Sequence, residues 1–360
     1  MRVPLLLQVL RGSRDPRACS AAEWGRLVQQ ARRAGLLAEL ARRLEGAEAD
    51  LPEGARHALR WARAAKARQD QLLRWELQCL LEALAPLGIP VGLLKGAAYL
   101  AAGFAFARGR LFHDIDLLVP AAALQRVERA LFVAGYVQVD ADPYDQRYYR
   151  EWMHELPPLQ HARRGTLVDV HHGLAPPTSR YAFPAERLFP AMVPLEGTDL
   201  PLVPRRLGDE DLVLHAALHL YTESEFRHGL RDLLDLCGLL GEMERRRAEF
   251  GGRLVARARA LGLARPLYLA LRHAAWLLGD ARAGALAARL EADAPWAVGV
   301  YDACFGRALL PAHPDCEDAF SGLARGLLYV RGHWLRMPLR LLVPHLARKA
   351  WRGMKAERTP

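Results

Sequence analysis

Residues 93–120, LLKGAAYLAAGFAFARGRLFHDIDLLVP, hold the pattern from which the fold class follows. The segment begins with the end of a short apolar run, 89–94, which is typical of a buried strand. Lys95 and Gly96 come next and lead into a helical segment. A second apolar run contains Asp114 and Asp116 and stops at Pro120. The order strand, helix, strand predicts a small α/β sheet in the middle of the chain.

The pair Asp114 and Asp116 is unusual because aspartate is depleted in strands. Side chains alternate between the two faces of a strand, so both carboxylates share one face while Ile115 faces the core. Two such close carboxylates repel each other unless a cation lies between them, and hard oxygen ligands suit magnesium. The pair therefore predicts a metal site. The alternative is a solvent-facing strand that carries two aspartates by chance.

A third acid, Asp169, lies in the segment TLVDVHH, residues 166–172. The preceding ARRG predicts a turn that pairs this strand with one near Leu159. Val168 and Val170 take the opposite face, so Asp169 and His171 share theirs. We therefore predict that Asp169 joins the other two acids. A contact of His171 with a phosphate or a carboxylate is the less favoured alternative for that residue.

Lys95 and Gly96 lie where a strand gives way to a helix. A helix start offers free backbone N–H groups to a phosphate, and glycine allows the backbone to come close. Lys95 adds a positive charge at the same point. Arg110, four residues before Asp114, can pair with a triphosphate through its guanidinium group. The alternative for Arg110 is a solvated loop arginine.

The 360 residues divide by pattern into three regions. Residues 1–85 are predicted to be helical, with Ser20 and Glu23 forming a capping box. Residues 86–205 form the α/β part, and residues 206–360 are predicted to be helical again with a basic tail. The predicted fold class is α+β: a small mixed sheet flanked by N-terminal and C-terminal helical regions.

The composition excludes several classes of protein. The five cysteines form no CxxC pair, which argues against a zinc ribbon or a disulfide framework and favours reduced thiols. No run approaches the length of a membrane span, and we expect a cytoplasmic protein. The net charge of +10 favours phosphate-bearing partners, although solvated arginine-rich helix faces would explain it equally well.

Other polar residues have simpler explanations. His215 and His219 share a helix face but lack a third metal ligand, which favours packing beneath the site. Asp232 and Asp235 are predicted in solvated or capping roles. The tail beyond residue 331 is basic and amphipathic and could lie on a membrane or bind nucleic acid. A packed helix with its arginines in water is favoured over peripheral membrane contact. The basic residues of this tail are Arg336, Arg340, Arg348, Lys349, Arg352, Lys355 and Arg358.

These motifs together resemble an uncharacterised nucleotidyltransferase family of the DNA polymerase beta superfamily. The resemblance is carried by the Lys-Gly turn, by the arginine four residues before DIDLLV, by a helix ending in Gly-Tyr, and by LVDVHHGL. It covers roughly residues 60–345. The chain departs from the wider superfamily at Ala97, where a serine or glycine usually follows the turn glycine.

The resemblance implies transfer of NMP from an NTP, such as ATP, to an acceptor hydroxyl with Mg²⁺ or Mn²⁺ as cofactor. It implies that Asp114, Asp116 and Asp169 bind the metal and act in catalysis, with Asp169 as a further candidate for general base. It assigns nucleotide binding to Lys95 and Gly96. The acceptor it allows is tRNA or another RNA, a sugar, or a protein. The alternative is a nucleotide-binding regulatory or polysaccharide-biosynthesis accessory module without turnover.

Overall fold

The computed structural model describes residues 3–139, 142–196 and 202–343. In the described part of the chain, four α-helices precede the first strand. The predicted capping box is confirmed: the Ser20 hydroxyl accepts from the Glu23 N–H at 3.3 Å, and the Glu23 carboxylate accepts from the Ser20 N–H at 2.9 Å. The four helices are α1 (Leu5–Leu10), α2 (Ala21–Arg33), α3 (Leu37–Arg43) and α4 (Glu53–Leu84).

A mixed sheet of seven short strands follows, interleaved with three helices. Its strand order is β3-β4-β5-β2-β1-β7-β6, with β2–β5 and β1–β7 parallel and the other pairs antiparallel. The predicted α+β class is confirmed. The strands are β1 (Gly92–Leu93), β2 (Asp114–Leu118), β3 (Tyr136–Gln138), β4 (Leu159–His161), β5 (Leu167–His171), β6 (Val193–Pro194) and β7 (Arg205–Arg206). The helices are α5 (Lys95–Ala101), α6 (Leu124–Val133) and α7 (Pro143–Trp152).

On one side β5 has the neighbour that the ARRG turn predicted, since Leu159 of β4 pairs with Val168. Gly165 closes this turn with a φ of +73°, a conformation that glycine adopts without strain. On its other side β5 lies parallel to β2, and Val168 and Val170 are buried in the core. This places β5 in the interior of the sheet, next to the central strand β2, with Asp169 beside Asp116.

The long helix α4 fixes both strands by side-chain contacts. The Gln69 amide accepts from the Phe112 N–H at 2.8 Å, just before β2 begins. Glu76 accepts from Arg164, in the turn before β5, at 2.7 Å, and it also bonds the Tyr136 hydroxyl. Because Glu76 is almost fully buried, loss of Arg164 would leave an uncompensated charge in the core. The helix thus holds the two acidic strands at fixed positions.

The C-terminal region is helical, and its buried apolar residues join those of the sheet and the N-terminal helices in one continuous core. Helix α4 ends at Leu84 and α8 begins at Asp209. The division at residues 85 and 205 remains a prediction. The helices are α8 (Asp209–Thr222), α9 (Gly229–Arg246), α10 (Phe250–Ala260), α11 (Ala264–Leu278), α12 (Ala281–Ala288), α13 (Val298–Ala308) and α14 (Ser321–Arg336).

The end of α14 corrects one expectation about the tail. Arg336 is not a solvated arginine: it ion-pairs with Glu223 at 2.8 Å, and its side chain is 15% exposed. Arg348, Lys349 and the basic residues after them lie outside the described residues. All five cysteines are free thiols, as predicted. In the described part of the chain, no helix combines the length and the hydropathy that crossing a membrane requires.

Candidate active site

The three predicted acids meet at the boundary between β2 and β5. The parallel register places Asp116 directly beside Asp169, and the alternation of side chains puts Asp114 on the same face. One carboxylate oxygen from each residue lies within 4.8 Å of the other two. We call Asp114, Asp116 and Asp169 the carboxylate cluster. Asp116 is its most buried member, at 1% exposure.

Lys95 lies against the carboxylate cluster. Its Nζ donates to Asp116 Oδ1 at 2.7 Å, and the Leu94 N–H donates to the Asp116 carbonyl at 2.9 Å. Among the described residues, Lys95 is the only non-glycine residue with a positive φ, +43°. Such a conformation is strained for a residue with a Cβ and persists only where its surroundings enforce it. The turn between β1 and α5 therefore aims the ammonium group at the acids.

Gly96 is required by close packing rather than by its backbone angles. A Cβ at this position would overlap the ring of Phe112 and the guanidinium of Arg110. Any side chain here would have to displace a buried aromatic ring. The glycine predicted to seat a phosphate thus also lets the segment before β2 pack directly onto the turn. A role in phosphate binding remains a prediction.

Arg110 is buried and ion-paired with Asp235 of α9, which corrects the solvated or capping role expected for that aspartate. Its guanidinium also lies 5.1 Å from the ring centre of Phe112. Arg110 therefore touches the Lys95–Gly96 turn from behind and connects it to the C-terminal helices. The structure shows a structural partner for this arginine, and nucleotide binding by Arg110 stays a prediction.

His171 connects the carboxylate cluster to a second polar group. Its Nε2 lies 3.0 Å from Asp116 Oδ1, and its Nδ1 lies 3.3 Å from Glu155 Oε2. Glu155 reaches this position because it forms an isolated antiparallel bridge with His171 at the end of β5. His154, the preceding residue, brings its ring centre within 5.3 Å of that of His171.

Asp169 of the carboxylate cluster borders a cavity of about 570 Å³ between the sheet, α7, α8 and the end of α14. Lys95, Asp169 and His171 form its sheet side, and His215 and His219 of α8 line it from the helical region. Both α8 histidines are thus part of the cavity wall, consistent with the expected position beneath the site. Three aromatic residues of α7 complete the wall: Tyr144, Tyr148 and Tyr149.

Burial and neighbouring charges move the pKa values of the three acids in opposite directions. Burial alone would raise the pKa of Asp116, but Lys95 and His171 lower it far below its ordinary value. The pKa of Asp169 is raised to about 7, by burial first and then by the negative charges of Asp116 and Glu155. Burial and the charge of Asp116 also raise the pKa of Asp114. Asp116 is therefore the firmly ionised member of the cluster.

The pKa values of Lys95 and His171, the basic partners of Asp116, are raised. Burial would lower the pKa of Lys95, but the charge of Asp116 and the hydrogen bond to it raise that pKa. Burial likewise opposes the charged form of His171, yet Asp116 and Glu155 raise its pKa. In contrast, burial lowers the pKa of His215 well below its ordinary value and that of His219 to about 4. Both α8 histidines are therefore neutral near pH 7.

The donor set fits a divalent cation. All members of the carboxylate cluster offer hard oxygen ligands, which magnesium and manganese prefer. When all three carboxylates are ionised, they carry more negative charge than Lys95 and His171 together can offset. The excess of negative charge is one cause of the raised pKa of Asp169. A bound dication would neutralise this charge.

Several cavity residues escaped the sequence-based prediction. His154 and Glu155 follow a helix and lie in no recognisable motif. Their position is visible only in the structure, where Glu155 forms a bridge with His171 of β5. Glu223 and Arg336 meet across more than a hundred residues of sequence. These residues are brought to the site by tertiary packing.

Comparison with known proteins agrees with the geometry. The family model described as uncharacterised nucleotidyltransferase matches residues 20–279 of this chain. The match includes the carboxylate cluster, the Lys95–Gly96 turn and helices α8 and α9. No curated protein and no solved structure matches the chain. Because the family model covers well over half of the sequence, the chain belongs to the uncharacterised nucleotidyltransferase family.

Proposed function

We propose that this protein transfers a nucleoside monophosphate from an NTP to a hydroxyl group of an acceptor and releases pyrophosphate, with Mg²⁺ or Mn²⁺ as cofactor. The observation that carries the proposal is the convergence of Asp114, Asp116 and Asp169 within 4.8 Å, next to Lys95. Membership in a nucleotidyltransferase family supports it. The proposal assigns a role to each of these residues.

The carboxylate cluster is the proposed metal-binding group. Asp116 is the anchor because it is buried and ionised, and because Lys95 and His171 hold its Oδ1 in place. Asp114 and Asp169 supply the remaining protein oxygens. A bound Mg²⁺ would neutralise negative charge on the attacking and leaving oxygens and position them for in-line displacement.

Asp169 is also the proposed general base. In the reaction the acceptor oxygen forms a bond to the α-phosphorus, the bond from that phosphorus to the α,β-bridging oxygen breaks, and pyrophosphate leaves. The hydroxyl proton passes to Asp169. A carboxylate has two oxygens, and an oxygen that does not bind the metal can accept the proton as a general base.

Lys95 and Gly96 are proposed to bind the β- and γ-phosphates. An ammonium group has three donors, and one of those of Lys95 goes to Asp116. The positive charge lies at the cavity wall, where a polyphosphate can reach it. Arg110 adds positive charge behind the turn, although its own hydrogen-bonding partner is Asp235. We propose that it acts on the nucleotide through the position of the turn.

The acceptor is proposed to enter the cavity beside α7. Three tyrosines there provide aromatic surface, and aromatic side chains stack on nucleic acid bases and on sugars alike. The net charge of +10 favours an RNA such as tRNA, or another phosphate-bearing acceptor, while sugar and protein hydroxyls fit the same chemistry.

The test is label transfer from each of the four NTPs, labelled at the α-phosphate, in the presence of magnesium. Total RNA, protein and glycan fractions from cells serve as separate acceptors. We expect wild-type protein to label one fraction and to release pyrophosphate in equal amount. The double substitution Asp114→Asn/Asp116→Asn should abolish both signals. Asp50→Asn is the matched control, since it makes a like change at an exposed position outside the site.

Two outcomes would contradict the proposal. Equal labelling by wild type and the double variant would show that the carboxylate cluster is not used. Nucleotide binding with no labelled fraction and no pyrophosphate would favour a binding module without turnover.

A further inference from the structure

A second group of metal-ligand side chains lies beside the carboxylate cluster but outside it. One ligand atom from each of His154, Glu155 and His171 lies within 4.8 Å of the other two. None of these residues is among the carboxylates proposed to bind magnesium. Two imidazoles and one carboxylate are a ligand set that divalent transition ions prefer to magnesium.

The hydrogen bonding of His171 points to a ligand at its Nδ1. Asp116 Oδ1, which also accepts from Lys95, lies 3.0 Å from His171 Nε2, so this contact occupies Nε2. A metal ion would therefore bind at the other ring nitrogen, Nδ1, and displace any proton there. This atom is buried and has no hydrogen-bond partner in the described structure, and the whole residue is 3% exposed. An imidazole held through its other nitrogen by a carboxylate is the usual arrangement of a metal-binding histidine.

The spacing of the donors suits such an ion. Tetrahedral zinc with bonds of about 2.05 Å has ligand atoms about 3.3 Å apart. His171 Nδ1 and Glu155 Oε2 are 3.3 Å apart, and both are acceptors when His171 is neutral. His154 must approach by up to about 1.5 Å, a movement within reach of a rotation about its side-chain bonds. Its own Nδ1 is buried and lacks a hydrogen-bond partner.

Nearby positive charges do not prevent cation binding. Lys95 and Arg336 also line the cavity, and they are neutralised by Asp116 at 2.7 Å and by Glu223 at 2.8 Å, respectively.

We propose that His154, Glu155 and His171 form a second metal site that binds Zn²⁺ or a similar divalent transition ion. All three residues line the cavity, so the remaining coordination position faces the space proposed for the acceptor. The site is separate from the carboxylate cluster and linked to it through the contact between His171 and Asp116.

The test measures Zn²⁺ alone on the full-length protein after chelator treatment, by equilibrium dialysis and metal analysis. We expect one tightly held equivalent, and characteristic visible absorption when Co²⁺ replaces Zn²⁺. Glu155→Gln and His154→Ala should each weaken zinc binding at least tenfold. His219→Gln is the matched control, because His219 lines the same cavity outside the ligand group, and it should bind zinc as wild type does.

A second variant separates the two sites. Asp114→Asn/Asp169→Asn should lose the stabilisation by magnesium and keep the tight zinc equivalent. The proposal is overturned if this variant loses zinc while Glu155→Gln retains it, since zinc would then occupy the carboxylate cluster. It is also overturned if wild type holds no zinc. Circular dichroism and the magnesium response of Glu155→Gln verify that this variant is folded.

Discussion

Replacing Asp169 by asparagine should stabilise the metal-free protein while removing its response to magnesium. The substitution takes one charge from three carboxylates whose oxygens lie within 4.8 Å. Two unit charges at 4.8 Å repel by about 3.5 kcal/mol at an effective dielectric constant of about 20. Lys95, at 2.7 Å from Asp116, offsets part of this repulsion. We therefore expect Asp169→Asn to raise the free energy of unfolding by about 1–3 kcal/mol above pH 7.

The sign of the pH dependence follows from the pKa of Asp169. That pKa is about 7 in the folded protein and about 3.9 in an unfolded chain. Between these values the native state holds a proton that the unfolded state has lost, so the stability of the wild type falls as pH rises through this interval. The asparagine variant does not lose stability in this way, because its side chain does not titrate. Its advantage should be small near pH 4, increase up to pH 7 and stay constant above it.

The assay is urea unfolding in chelator and in millimolar magnesium, at about pH 5 and about pH 8.5. Wild type should gain stability from magnesium at the higher pH, and Asp169→Asn should gain none. Asp50→Asn, which changes the net charge equally, should respond to magnesium as wild type does. The reasoning is refuted if Asp169→Asn is less stable than wild type in chelator at both pH values and still responds to magnesium.

Four further outcomes are expected. Below about pH 7, magnesium binding should release a proton from Asp169, seen as a buffer-dependent heat in calorimetry; a heat independent of buffer would contradict the raised pKa. Arg110→Met and Asp235→Asn should each cost about 3–5 kcal/mol in urea unfolding, because each leaves a buried charge unpaired, and additive losses in the double variant would argue against their pairing. Lys95→Met should lower the rate of label transfer about 10²-fold or more at saturating NTP, with unchanged rates speaking against a phosphate contact. Gly96→Ala should cost about 1–3 kcal/mol in the same unfolding assay, since its Cβ overlaps a buried ring; wild-type stability would show that the turn can relax.

The local sequence pattern was sufficient to predict the individual strands of the site. The alternation in DIDLLV places Asp114 and Asp116 on one face whatever the rest of the chain does, because it follows from the geometry of a strand. The same rule gave Asp169 and His171 a common face. The ARRG turn also predicted the pairing of β4 with β5, since the turn and the apolar alternation fix that register locally.

Contacts between distant segments could not be predicted in this way. Arg110 and Asp235 are separated by 125 residues, and no local pattern links an arginine before a strand to an acid on a later helix. Glu155 contacts His171 only because the segment after α7 forms a β-bridge with the end of β5.

The sequence by itself thus determined the secondary structure around the acids, the face on which each acid lies, and the family. Only the tertiary structure decided that β2 and β5 lie side by side with Asp116 opposite Asp169, and that α8 and α14 enclose the cavity. The physical reason is that strand geometry and turn chemistry are local, whereas parallel pairing and helix packing depend on apolar surfaces contributed by segments far apart in the chain.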